Sequence, residues 1–322
     1  MQGVRLLCFT MQNCEPSFTL HASFNPPKDQ LPSFPICEKG SSLKPTGQSG
    51  GCIYQNSDNT WSRRDATDVL VRQENLKEYP PLANELKRLG VRSVIDAGAN
   101  DGFSTFLFAS GLPEARVVGL EPSLSNYFML RKNTHSFHSR VTPLRSALWG
   151  SSLSLSMNTG DSDPSAAQSV GLGNNKGGDA DKLPGVSVPR LLDGFCLPSP
   201  IFLKMDIEGA EVSVMASGSE SWLPRVKYLY MEAHPHTRDP VSGKSAVAVS
   251  VQRLLSANMT VVTNPTLTMN TWTPWSPRAN KREYVFLACN REVKPSDCMA
   301  LCHAWRAGTG LECKQVRGWH AS

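Results

Sequence analysis

The run Lys204-Met-Asp-Ile-Glu-Gly-Ala-Glu211 sets one base and three acids within eight residues, directly after the apolar stretch Ile201 to Leu203. In an extended chain, alternation puts Lys204 and Asp206 on one face and Leu203 and Met205 on the other. Gly209 and Ala210 then permit a tight turn into the next segment. Charge at the end of a buried strand is costly unless it is paired or serves a site. Three further segments end in the same way. Asp96-Ala-Gly-Ala-Asn-Asp-Gly102 carries Gly98 and Gly102, which let the backbone turn and approach a ligand at a helix start, with Asn100 between them. Glu121, in Gly-Leu-Glu-Pro, lies 25 residues past Asp96, where a carboxylate can accept two hydrogen bonds from ribose hydroxyls. Tyr-Met-Glu-Ala-His-Pro (230–235) adds Glu232 and His234.

Proton removal is the chemistry this set suits. His234 has the ordinary pKa of a general base, and Asp206 can act as base, acceptor anchor or metal ligand. Lys204 and Glu232 then orient them. Plainer roles stay open: Lys204 salt-bridged to Asp206 or Glu208, His234 on the surface, and Glu121, Glu208 and Glu211 as acids complementing helix starts.

The elements that must position these residues follow from apolar periodicity. Strands are predicted at 91–98, 115–122, 141–150, 201–206 and 226–235, alternating with helices, and two closing strands at 259–263 and 282–290 are joined without a helix. Pro80 and Gly90 bracket a first helix carrying Leu82, Leu86 and Leu89. This order implies an α/β fold: a mostly parallel sheet with an antiparallel edge and helices on both faces. Ligands of such sheets bind outside the carboxyl ends of the central strands. Residues 1–58 read as an irregular extension, 59–290 as the main domain and 291–322 as a Cys-containing tail. The Gly, Asp, Asn and Ser tract 156–185 reads as a flexible insert.

Composition narrows the classes. Among 322 residues, 40% are hydrophobic and 19% charged, with a net charge of +5. The basic residues occur in pairs rather than in a dense stripe, which argues against a nucleic-acid surface. No apolar run reaches the roughly 20 residues that span a bilayer, and the opening stretch, interrupted by Thr10, Gln12 and Asn13, makes a poor secretory signal. Eight of the nine cysteines cluster near the two ends, with only Cys196 between, which suits disulfides pinning loops in an oxidising compartment. Together with the sequon Asn258-Met-Thr, this favours the Golgi lumen or the extracellular space over the cytoplasm. Cys298, Cys302, His303 and Cys313 also permit a zinc reading, although the spacing is loose and no second C-x-x-C exists. No metal is assigned.

The Asp96–Gly102 loop lacks the G-x-G-x-x-G of a dinucleotide site and resembles the cofactor loop of S-adenosylmethionine-dependent methyltransferases. Combined with Glu121 and the run Lys204–Glu211, it resembles the FkbM family, whose hallmark is K-x-D-x-E-G-A-E at the fourth strand. The likeness covers about Trp61 to Asn290 and includes Val-Ser-Val-Pro-Arg-Leu-Leu-Asp-Gly-Phe (186–195) and Tyr-Met-Glu-Ala-His-Pro. It implies a Rossmann-like class I methyltransferase fold, S-adenosylmethionine as cofactor and methylation of a hydroxyl on a glycan or small metabolite. In that frame Asp96 attracts the ammonium of the methionine part, and Gly98, Asn100 and Gly102 form the loop. Glu121 holds the ribose, while Ser146 and Ala147 border the adenine. The competing classes are a methyltransferase-like module without catalysis, acting in protein interaction, and a nicotinamide oxidoreductase. The second is disfavoured by the missing glycine and by the lack of a Ser/Tyr/Lys reduction set.

Overall fold

The computed structural model of the chain describes residues 26, 31–32, 34–37, 52–64, 66–157, 170–171, 182–216, 218–234, 237–263, 285–307 and 313–316. A hairpin of β1 (Ile53–Gln55) and β2 (Trp61–Arg63) leads into α1 (Ala66–Arg88). Then follow β3 (Ser93–Ala97), α2 (Phe103–Gly111), β4 (Arg116–Leu120), α3 (Leu124–Asn133) and β5 (Val141–Leu144). Next come β6 (Ala147–Leu148), β7 (Ser154–Met157), β8 (Val170–Gly171), β9 (Lys182–Val186) and α4 (Val188–Gly194). The chain returns through β10 (Ile201–Met205), α5 (Glu211–Ala216), α6 (Ser219–Trp222), β11 (Tyr228–Glu232) and α7 (Ala246–Ser256). It closes with β12 (Thr260–Thr263), β13 (Val285–Cys289), α8 (Pro295–Arg306) and β14 (Lys314–Gln315).

The main sheet has the order β14-β12-β13-β11-β10-β3-β4-β5. Pairs from β11 to β5 are parallel; β11–β13, β13–β12 and β12–β14 are antiparallel. The parallel strands are apolar on both faces because helices cover both. Ile95, Leu203, Met205, Leu229 and Met231 join a core with α4, α5 and α7. Val94, Phe202, Tyr228 and Tyr230 face α1, α2 and α8, packing with Leu82, Leu86, Phe108 and Leu301. Strand parity therefore places Asp96, Lys204, Asp206 and Glu232 on the side that α1, α2 and α8 cover. The chain winds outward from β3 to β4 and β5, then crosses back to β10 and continues to β11. The β3–β10 junction is thus the topological switch point, and it lies where the charged runs end.

Four expectations are corrected. The first helix does not begin at Pro80: α1 starts at Ala66 and carries Pro80 and Pro81 inside it. Tyr79, Leu82, Ala83 and Leu86 are all buried along it, and this packing carries the helix through two residues that cannot donate a backbone hydrogen bond. The predicted third strand is two. β5 stays in the main sheet, and the chain breaks at Arg145 and Ser146 before β6 joins a smaller sheet ordered β6-β9-β7-β8. That sheet takes in both ends of the 156–185 tract and, between them, β8, which are strands and not a flexible insert; residues 158–169 and 172–181 lie outside the described residues. Residues 291–316 are not a mere tail, because α8 packs on the sheet and β14 extends it.

The cysteines at both ends pair as expected: Cys37 with Cys52, Cys289 with Cys298, and Cys302 with Cys313. This overturns the zinc reading, since Cys298, Cys302 and Cys313 are all consumed in disulfides. The last two bonds tie α8 to β13 and to the approach of β14. Cys302–Cys313 closes a separation of 11 residues, for which lost chain entropy predicts roughly 2–3 kcal/mol of stabilisation. Replacing both by Ser is expected to lower the urea midpoint accordingly. An unchanged midpoint contradicts a structural role.

Candidate active site

A cleft of about 320 Å³ opens at the β3–β10 switch point. Its near wall is the turn after β3. Gly98 has φ +78°, and a Cβ there would collide with the carbonyl oxygen of Asp206, so only glycine lets the ends of β3 and β10 approach. Asn100 also takes a left-handed backbone, φ +51°. Gly102 does not line the cleft: it backs against Leu130 of α3, so its lack of a side chain serves helix packing and not a ligand.

Asp96 is likewise corrected. It is fully buried and absent from the cleft wall. One carboxylate oxygen accepts from the hydroxyls of Ser104 and Thr105, each at 2.6 Å, and the other faces Lys204 Nζ at 3.2 Å. The strand register that pairs Asp96 with Lys204 turns it inward as a counterion, where no ligand ammonium reaches it. Lys204 donates to the Gly98 carbonyl at 2.8 Å and lies 4.0 Å from Asp206. Burial alone would depress its pKa, but Asp96 and Asp206 outweigh burial and raise it, so the ammonium stays charged. Lys204 thus ties the glycine turn to the acid wall.

Glu121 lies where expected, on the cleft wall and 5% exposed. Its oxygens accept from the backbone N–H of Asn100 at 2.9 Å and of Ser123 at 2.8 Å. Burial pushes its pKa up to about 7, against the pull of those two N–H groups. Nearby, Asn100 Oδ1 and Asn126 Oδ1 are buried atoms with no hydrogen-bond partner. Ser146, Ala147 and Leu148 complete this end. The Ser146 hydroxyl donates to the Pro184 carbonyl at 2.7 Å, so it is already engaged.

At the other end Lys204, Asp206, Glu208 and Glu232 line the cleft, but His234 does not. Its Nδ1 donates to Glu211 at 2.9 Å, and its Nε2 is 3.0 Å from Glu208. Burial works to lower its pKa, yet the two carboxylates prevail and raise it to about 11. An imidazolium held between two acids has no lone pair to offer, so His234 is not the general base. Glu211, fully buried, also accepts from the backbone N–H of Ile207 and Gly209 and so fastens the turn after β10. These acids are neither decorative first-turn charges nor bare pocket wall. Asp206 is a partly exposed carboxylate facing the cleft; burial raises its pKa, with Lys204 and His234 opposing. Asp206, Glu232 and His234 each place a ligand atom within 4.8 Å of the others, a spacing that suits a divalent cation. With both ring nitrogens of His234 facing carboxylates, the arrangement is that of an ion-pair network.

Sequence reasoning missed the roof. Glu74, Asn75, Glu78 and Tyr79 of α1, Tyr230 of β11 and Trp305 of α8 all line the cleft. No motif marks the α1 and α8 residues, because they reach the site through helix packing. Only the strand parity of Tyr230, two residues before Glu232, carried a signal.

Strand order, switch point and acid-edged turn define a Rossmann-like α/β fold of the class I methyltransferase type. Residues 96–252 match the family model described as the Methyltransferase FkbM domain. Among curated proteins no relative matches. Solved structures similar to the chain include a methyltransferase FkbM from Methylobacillus flagellatus KT, at 15% identity and TM-score 0.39. That likeness covers 62% of this chain, which spans only 43% of the other. An O-methyltransferase from Bacillus cereus in complex with SAH is 14% identical, with TM-score 0.37 and coverage of 70% and 82%. A precorrin-6y C5,15-methyltransferase from Geobacter metallireducens GS-15 is 14% identical, with TM-score 0.32 and coverage of 65% and 86%.

Proposed function

We propose that the chain transfers the methyl group of S-adenosylmethionine to a hydroxyl of a glycan or small hydroxylated molecule. Glu121 carries the reading. It is a buried carboxylate, held by two backbone N–H groups beside the glycine turn, with capacity left to accept a pair of hydroxyls. The unpartnered oxygens of Asn100 and Asn126 and the apolar edge of Ala147 and Leu148 fit a nucleoside at the same end. The cofactor, when bound, supplies an electrophilic methyl group. The chain's own residues do the rest. Glu121 anchors the ribose, Asp206 takes the acceptor proton, and Lys204 fixes Asp206 against the glycine turn. Glu232 orients the acceptor, while His234 and Glu211 hold the turn that carries Asp206. Among the described residues no helix is long and apolar enough to cross a membrane. The disulfides support an oxidising compartment, the Golgi lumen or outside the cell.

Calorimetry with S-adenosylhomocysteine and with NAD tests the assignment: the first is expected to bind and the second not. The reverse result overturns it. Glu121→Ala removes two charge-assisted hydrogen bonds of about 1.5–3 kcal/mol each and is expected to weaken binding at least tenfold. With a pKa near 7, the ionised acceptor form of Glu121 is lost on acidification. S-adenosylhomocysteine affinity is therefore expected to fall from pH 8 to pH 6, and Glu121→Gln to flatten that dependence.

A further inference from the structure

We infer that Asn133 is a positioning residue for cofactor binding, and that the hairpin β1–β2 acts through it as a strap holding the glycine turn in its ligand-ready shape. This rests on the S-adenosylmethionine reading above and adds what keeps the turn in place. The hairpin lies outside residues 96–252, so the strap comes from beyond the matched region. Neither Asn133 nor any of residues 52–64 lines the cleft, and their effect on a ligand therefore runs through the turn.

The first half of the turn is held by the strand ends. The N–H groups of Gly98 and Ala99 donate to the Leu120 carbonyl at 3.1 and 2.9 Å, and that of Asn100 donates to Glu121 at 2.9 Å. Asn100 keeps its left-handed φ of +51°, which an L-residue holds only where its surroundings fix the peptides on both sides. The next carbonyl, that of Asp101, is fixed by Asn133 at the end of α3. Asn133 Nδ2 donates to the Asp101 carbonyl at 2.9 Å and to the Trp61 carbonyl at 3.0 Å, while its Oδ1 accepts from the Trp61 N–H at 2.6 Å. The Trp61 N–H can only donate, so it dictates which way the amide points, and both amide protons are then spent on carbonyls. Asn133 thus pairs with β2 as a strand neighbour would and turns its remaining bond onto the turn. It is 4% exposed and Asp101 is 2% exposed, so water does not replace these bonds.

The strap is anchored on the same two targets, the turn and α3. Arg63 of β2, ion-paired with Asp68, donates to the Ser125 hydroxyl of α3 at 2.9 Å. Lys132 Nζ lies 3.9 Å from the centre of the Trp61 ring. Arg72 of α1 donates to the Thr60 hydroxyl at 2.7 Å and stands 4.1 Å over the ring of Phe103, the residue directly after the turn. Upstream, the Cys37 N–H donates to the Ile53 carbonyl and the Ile53 N–H to the Pro35 carbonyl, both at 2.9 Å, and the Cys37–Cys52 disulfide locks this pairing beside β1. Leu31 packs on a cluster of Ala99, Tyr127 and Leu130, which joins the turn to α3. The disulfide therefore tethers the segment that presents Trp61 to Asn133.

The test uses the full oxidised chain, with S-adenosylhomocysteine affinity read by calorimetry and stability by urea unfolding. Asn133→Ala is expected to weaken binding about tenfold, the order of effect that leaving a buried carbonyl unpaired produces. Cys37→Ser with Cys52→Ser is expected to weaken it by a smaller factor and to add little on top of Asn133→Ala, because both act along one chain of contacts. Cys302→Ser with Cys313→Ser, far from the turn, serves as the control: it is expected to lower the urea midpoint and keep the parent affinity. Parent affinity in Asn133→Ala with a lowered midpoint makes Asn133 merely structural and overturns the inference. Where Asn133→Ala does not fold, the Cys37 and Cys52 pair decides, and unchanged affinity there overturns it as well. An equal loss in all three variants reports general loosening and has the same consequence. A parent chain that binds no S-adenosylhomocysteine strikes the cofactor reading instead. Hydrogen exchange at the Asn100 amide then still decides the positioning role: it is expected to be faster in Asn133→Ala than in the parent, and an equal rate refutes the strap.

Discussion

Asp206→Asn is expected to lower turnover by about 10²–10⁴-fold, the range that general-base assistance supplies, while S-adenosylhomocysteine affinity stays near that of the parent. Asp206 follows β10, its side chain is 31% exposed to the cleft, and it is not needed to hold Glu121 or the glycine turn. Burial raises its pKa above the ordinary carboxylate value, with Lys204 and His234 pulling it back. The ionised form is the base, so the parent rate is expected to fall on acidification at a higher pH than an exposed aspartate would give. Asn cannot titrate, and the variant should lose that acid limb along with its rate. Wild-type turnover in a folded Asp206→Asn protein removes Asp206 from proton transfer. Chelation by EDTA is expected to leave turnover unchanged; a loss restored by a divalent cation would reassign Asp206 and Glu232 as ligands. His234 follows a different logic. Its folded pKa of about 11 lies above the ordinary 6.5. Its contribution to stability is thus complete below about pH 6.5 and is lost as pH rises toward 11. His234→Ala should accordingly weaken the fold at neutral pH without removing the acid limb of the rate.

The parallel strands were legible because each is a short apolar run ending in a charge or glycine, and burial on both faces leaves little freedom in such a pattern. Glu121 and Asp206 were legible for the same reason: acids at strand ends stand out against an apolar background. Asp96 and His234 stood out equally, yet their roles were misread. Residue type and position do not reveal the counterion, and it is Lys204 and the pair Glu208 and Glu211 that decide whether each group faces ligand or protein. The α1 and α8 wall was illegible for another reason. Glu78 and Trp305 are 227 positions apart, and they meet only because the sheet brings both helices onto one face. The cysteines at 298, 302 and 313 announced a constraint on that helix but not which surface it would present.

Gly98→Ala is expected to be the most destabilising single-methyl change at the site, costing more than about 3 kcal/mol. Two effects combine there. A left-handed backbone costs an L-residue roughly 1–2 kcal/mol, and the added methyl would meet the Asp206 carbonyl oxygen, which is backbone and cannot rotate away. Relief requires the ends of β3 and β10 to separate, breaking the bond between the Asp206 N–H and the Ala97 carbonyl and moving the Gly98 carbonyl from Lys204. Gly90 separates these effects. Its φ of +71° is close to the +78° of Gly98, but a Cβ there meets nothing within 4 Å. Gly90→Ala should therefore show the backbone cost alone, roughly 1–2 kcal/mol, with S-adenosylhomocysteine affinity intact. Urea unfolding of the two variants gives the difference directly. If both lose the same stability, the contact across the switch point is not what demands glycine at position 98. If Gly98→Ala loses the larger amount and cofactor affinity falls with it, one constraint holds the two central strands together and shapes the cleft between them.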